Sequence, residues 1–103
     1  MTLNENPCFN SVKNKICIIR TYSAGVHYGT VDICSSDMTV VTLLKARRIW
    51  RWKGANTLNE VAKSGLSDNS KISEIVPTIT IAGAIEYLPV SDEAIRIIDG
   101  VIW

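Results

Sequence analysis

Apolar positions along the chain fall into short runs punctuated by turn residues, a pattern of strands more than of long amphipathic helices. From Lys15 to Tyr22 the run Ile16, Cys17, Ile18, Ile19 is largely β-branched, and it stops at the small-residue turn Ser23-Ala24-Gly25. Val26 to Cys34 resumes as a second strand, making a hairpin with Tyr22 and Tyr28 near its closed end. Ser35-Ser36-Asp37 is the next turn, and Met38 to Leu44 a third strand. Lys45 to Trp52 fits two periods. Leu43, Arg47, Trp50 and Arg51 would share a helical face, whereas Arg48, Trp50 and Trp52 alternate as a strand does. Two tryptophans at spacing two favour the strand, which Gly54 ends.

Thr57-Leu58-Asn59-Glu60 has the spacing of a capping box, so a short helix is expected from there to Lys63 or Ser64, with Gly65 at its C-terminal cap. Residues 66 to 73 are polar and read as the most flexible point of the chain. Thr78 to Leu88 predicts one strand with Gly83 as a bulge, bracketed by Pro77 and Pro89. Ser91 caps a second short helix with Asp92 and Glu93 in its first turn, where the helix dipole favours negative charge, and Gly100 stops it. Residues 1 to 14 carry four asparagines and no apolar period, so they predict an N-terminal arm without fixed order. Residues 15 to 103 form a single ligand-binding domain of the α+β class, an antiparallel β-sheet decorated with two short helices.

Composition sharpens this picture. With 103 residues the chain holds one domain, which excludes a multidomain enzyme. Only 20% of residues are charged and 47% are hydrophobic, against about 25% charged in an ordinary soluble domain. Such thin charged cover points to surface buried against another subunit, and the apolar tail Val101-Ile102-Trp103 to docking on the same chain or a neighbour. No stretch approaches the roughly 18 apolar residues of a membrane span, and the first residues lack a signal-peptide pattern, so a cytosolic protein is expected. Cys8, Cys17 and Cys34 are odd in number and widely spaced, which disfavours a disulfide framework. Without a C-x-x-C pair they are poor zinc ligands even with His27, and buried small hydrophobes is the better reading.

Catalytic signals are weak. His27 is the sole histidine, Ser23 and Asp32 stand four and five residues away, and no nucleophile with an oriented base emerges. Gly25-x-x-x-Gly29 lacks the residues of a phosphate loop. A non-enzymatic binder without cofactor or metal is therefore expected. The net charge of +1 conceals an asymmetry: between Asp37 and Glu60 stand Lys45, Arg47, Arg48, Arg51 and Lys53 and no acid, while the remainder has six basic and ten acidic residues. Trp50 and Trp52 lie within this basic window. Arginine forks meet phosphate oxygens bidentately and aromatic rings stack on bases, so the window describes a site for a phosphate attached to a base. The opposing arrangement has both tryptophans in the core with Arg47 and Arg51 facing water. A single-stranded nucleic-acid binder would use the same groups, although the acidic remainder disfavours a long polyanion.

Arg20-Thr21-Tyr22-Ser23-Ala24-Gly25-Val26, followed by His27-Tyr28-Gly29, then Ala46-Arg47-Arg48-Ile49-Trp50-Arg51-Trp52-Lys53-Gly54-Ala55 with Thr57-Leu58, resembles the phage-encoded Thoeris anti-defence sponges. The likeness covers about residues 15 to 90. It implies an antiparallel sheet with short helices, assembled as a homodimer and as a hexamer built as a trimer of dimers. It implies a protein acting in the cytoplasm of an infected bacterial host, which binds glycocyclic ADP-ribose made by a TIR protein and denies it to the Thoeris effector, breaking no bond. A second class of ligand, cyclic oligonucleotides held between subunits, is implied as well. In that reading Arg20, Arg47, Arg48 and Arg51 would hold phosphates, Trp50, Trp52 or Tyr22 the base, and Asn56 with Ser23 the ribose hydroxyls. If residues 45 to 52 form a strand, Arg47 and Arg48 must point to opposite faces.

Overall fold

The hairpin read from the β-branched run forms as expected: strand β1 (Ile16–Thr21) pairs antiparallel with β2 (Val26–Cys34), Ile18 opposite Tyr28 and Arg20 opposite Val26. The structure, a computed structural model, describes residues 7–51, 57–67 and 70–101. Within these, the chain continues through β3 (Val40–Arg51), helix α2 (Leu58–Ser64), β4 (Lys71–Ile72), β5 (Val76–Ala82), β6 (Ala84–Pro89) and α3 (Asp92–Asp99), after an opening helix α1 (Pro7–Asn10). The fold is α+β, a mainly antiparallel sheet with short helices.

The sheet runs β4-β3-β2-β1-β6, and β5 pairs with β3 from Val40 opposite Ala82 to Ala46 opposite Val76. Only Gly83 separates β5 from β6. At this corner the Tyr22 N–H donates to the Gly83 carbonyl and the Ala84 N–H to the Thr39 carbonyl, each at 2.9 Å. One bent segment therefore joins β3 to β1 and curls the sheet into a small barrel. The single bulged strand expected over Thr78 to Leu88 is thus two strands with different partners, because closing the sheet requires the chain to change neighbours.

Two cores result. Inside the barrel Cys17, Ile19, Val31, Val41, Leu43 and Ile81 pack together; on the outer face Ile18, Tyr28 and Ile49 are covered by Val61 and Ala62 of α2 and by Ala94 and Ile98 of α3. Strand β1 is buried on both faces, which explains why its apolar run does not alternate. Ser91 ties the two helices together. Its Oγ accepts from the Ala94 N–H at 3.1 Å and donates to the Lys63 carbonyl at 2.6 Å, and Thr57 caps α2 by accepting from the Glu60 N–H at 3.2 Å.

The expectation of an arm without order over residues 1–14 is corrected for the part described. Phe9 and Val12 are buried in the barrel core, and the Asn14 N–H donates to the Val31 carbonyl, so two apolar side chains too widely spaced to show a period plug the barrel. Residues 1–6, Asp68 and Asn69 of the polar loop, and Ile102 and Trp103 of the tail lie outside the described residues.

Strand β3 contains one further feature that positions the site. Tyr28 stands opposite Arg47 but Thr30 opposite Leu44, so Gly29 faces one residue too many on β3. The extra residue forms a bulge at Lys45, whose φ is 51°. Leu43 and Ala46 both enter the barrel core on either side of it. The bulge thereby shifts the inside-outside alternation by one residue and decides which way each following side chain points.

Candidate functional site

Beyond the bulge Arg47 and Arg48 go to opposite faces. Arg47 turns to the helix-covered side and is 4% exposed. Its Nε donates to the Ser73 carbonyl at 2.8 Å, Nη1 to the Ile98 carbonyl at 3.2 Å and Nη2 to the Val101 carbonyl at 2.9 Å. The last two bonds cap the C-terminal end of α3, where a cation is favoured by the dipole. The assignment of Arg47 to phosphate binding is therefore corrected: its guanidinium is a buried clamp between strand and helix. Beside it the Tyr28 hydroxyl donates to Asp99 Oδ1 at 2.9 Å, and burial with the carboxylate holds this phenol well above its usual range.

Arg48 and Trp50 emerge on the other face, where β3 has passed the end of β5. Trp50 is 66% exposed and the Arg48 guanidinium carbon lies 5.5 Å from the centre of its ring, a cation–π pair. The arrangement with both tryptophans in the core and Arg47 and Arg51 facing water is thus reversed for Trp50 and Arg47, its two members among the described side chains. Arg48 is fixed through its backbone, its N–H donating to Ser73 Oγ at 2.7 Å and its carbonyl accepting from the Ser73 N–H at 2.8 Å. Nothing in the sequence marked Ser73, because a lone serine in a polar loop carries no signal of its own.

The turn Ser23 to Val26, together with Arg48, Ile49 and Trp50, encloses a cleft of about 440 Å³. Gly25 has a φ of 89°, and a Cβ there would lie 3.7 Å from Arg48 Nε. Thr21 shapes the turn, its Oγ1 donating to the Gly25 carbonyl at 2.7 Å and accepting from the Ala24 N–H at 2.8 Å. His27, 1% exposed, donates from Nε2 to the Ala24 carbonyl at 2.8 Å. Burial keeps its pKa below the ordinary 6.5, Arg48 acting in the same direction against the Ala24 bond. The neutral ring is a strut under the turn.

A second cleft of about 230 Å³ lies across Arg48 and Trp50, lined by Ala46, Val76, Ile79, Ser73, His27 and Arg47 as well. Val76 and Ile79 were not expected at a site: Ile79 fell within the strand expected over Thr78 to Leu88, and Val76 lay before it.

The other expected residues are placed as follows. Ser23 is exposed at the cleft. Arg20 is exposed on the strand beside Val26, with its Nε 3.0 Å from Glu86 Oε1. Tyr22 is 83% exposed in the turn and outside the lining of either cleft. Trp52 and Asn56 lie outside the described residues, as does the Arg51 side chain. Cys17 and Cys34 are buried in the barrel, and burial pushes the Cys17 thiol up to about 11; Cys8 is exposed.

Fold and site together define a small, closed antiparallel sheet that presents an arginine stacked on a tryptophan at the open end of its barrel. The chain belongs to the family described as a domain of unknown function, DUF6948, which matches residues 14–98. No curated protein and no solved structure matches it. Among the described residues no helix is long and apolar enough to cross a membrane.

Proposed function

We propose that the protein is a phage anti-defence sponge that binds glycocyclic ADP-ribose, a TIR-derived cyclic ADP-ribose isomer, and withholds it from the Thoeris effector without cleaving it. The observation that carries this reading is the convergence of the two sequence strings behind the resemblance: the turn of the first and the Arg48-Ile49-Trp50 stretch of the second line one cleft. A charge-assisted arginine for the pyrophosphate, an exposed indole for adenine and the Ser23 hydroxyl for a ribose match the three parts of such a ligand.

Outcompeting a receptor calls for a nanomolar Kd, about −12 kcal/mol, and an affinity of that size from a small ligand requires near-complete enclosure. A second copy laid over the cleft supplies it. Exposed Tyr22, Trp50 and Ile85 favour such association, so a homodimer, and a hexamer as a trimer of dimers, belong to this proposal.

Titration calorimetry with glycocyclic ADP-ribose tests the reading. Saturable nanomolar binding is expected, with unchanged ligand recovered on heating and with the native mass of a dimer or its multiple. Recovery of a hydrolysed product, or no binding, overturns it. Tight, steeply salt-dependent capture of a mixed oligonucleotide instead marks a single-stranded nucleic-acid binder using the same Arg48 and Trp50.

A further inference from the structure

Arg48 and Trp50 line both clefts, so the stacked pair is a ridge between them and not the floor of one. The clefts differ in chemistry. On one side stand the exposed Ser23 hydroxyl and the tight turn at Gly25; on the other, Ala46, Val76 and Ile79 make an apolar wall against Trp50, with Arg47, His27 and Ser73 completing the lining. The smaller cleft, at about 230 Å³, falls below the roughly 300–1,000 Å³ of complete small-molecule sites and suits a single ring system. An apolar slot beside an indole favours a flat heterocycle, whereas a guanidinium beside a hydroxyl-bearing turn favours an oxyanion.

We infer that the ridge divides the site into two subsites, a heterocycle subsite between Trp50 and Val76/Ile79 and an oxyanion subsite between Arg48 and the Ser23–Gly25 turn. A ligand carrying both a purine and a pyrophosphate straddles the ridge. This deepens the proposed function and rests on it for the identity of the full ligand, but the division itself concerns only the two chemical classes. Arg48, poised over the Trp50 ring, lines both subsites.

Adenosine and inorganic pyrophosphate are the probes, added to the full-length protein and followed through its backbone amide resonances. Adenosine is expected to shift Ser73, Val76 and Ile79, pyrophosphate Ser23 to Val26, and each should still bind when the other saturates. Val76→Trp, which fills the apolar slot on an exposed strand, should weaken adenosine tenfold or more and leave pyrophosphate unchanged; Ser23→Glu should do the reverse. Mutual displacement of the two probes, the same set of shifted amides for both, or no binding of either overturns the division, and the wild-type measurements decide it even if a variant fails to fold. Failure of glycocyclic ADP-ribose alone to bind, while both fragments bind separately, counts against the sponge and leaves the two subsites standing.

Discussion

Gly29 on β2 stands so close to the Lys45 bulge of β3 that a side chain there would be crowded: a Cβ built on it would lie 3.1 Å from the Leu44 carbonyl oxygen and 3.2 Å from Ala46 Cα. Both are backbone atoms, so relief requires a shift of the strands at the bulge itself. Gly29→Ala should therefore cost about 1–3 kcal/mol, the range for overpacking a tight core. A lower urea midpoint with unchanged slope is the expected result, and weaker ligand binding should accompany it because the bulge sets the direction of Arg48.

Adjacent arginines should give opposite phenotypes. Arg47→Met strands the buried Val101 carbonyl and the half-buried Ser73 carbonyl, at about 1–3 kcal/mol for a buried group, while the Ile98 carbonyl keeps the Val101 N–H, and should lower stability sharply. Arg48→Ala removes an exposed cation–π pair worth only about 0.5–1 kcal/mol and should barely change stability while cutting ligand affinity tenfold or more. Thermal melts alongside calorimetry separate the two, and equal stability losses with unaltered binding would show that the guanidiniums do not divide the work this way.

His27 should make stability depend on pH in one direction. Its folded-state pKa is held below the ordinary 6.5, so the unfolded chain takes up the proton first as the solution is acidified. The neutral ring's contribution is complete above that ordinary value and is lost as pH falls from it towards the lowered folded value. Comparing urea midpoints at about pH 7.5 and pH 5.5 should show a loss on acidification. The loss should be smaller in His27→Gln, which does not titrate.

Ser91→Ala tests the junction of the helices. It removes the cap on the Ala94 N–H and the donor to the Lys63 carbonyl, and should cost about 0.5–2 kcal/mol, at or above the middle of the range for a lost cap. Denaturant unfolding checks the magnitude, and binding of the ligand should be preserved because Ser91 stands apart from both clefts.

The chemistry of the site was more legible than its geometry. The basic window and its tryptophans drew attention to Arg48 and Trp50, which the fold brings to the same two clefts, because a cluster of arginine and indole without an acid is visible in composition alone. Arg47 carried the same signal and belongs to the scaffold, since only the α3 carbonyls reveal what its guanidinium serves. Arg20 likewise reads as a free cation until Glu86, 66 residues later, is brought beside it.

Local order in the sequence determined the elements: β-branched runs gave the hairpin strands, Thr57 and Ser91 set the helix starts, and the spacing of Trp50 and Trp52 favoured a strand over a helix. These features depend on neighbours within a few residues, where steric preference and capping act. The tertiary structure decided closure, phase and pairing. Gly83 became a corner because β5 and β6 found different partners, Phe9 and Val12 acquired a role once there was a barrel to fill, and the bulge opposite Gly29 turned Arg47 to the helix-covered face and Arg48 to the other. A one-residue shift in strand phase exchanges the two faces of everything that follows, and that shift is set by the register between strands, not by the order of residues within one.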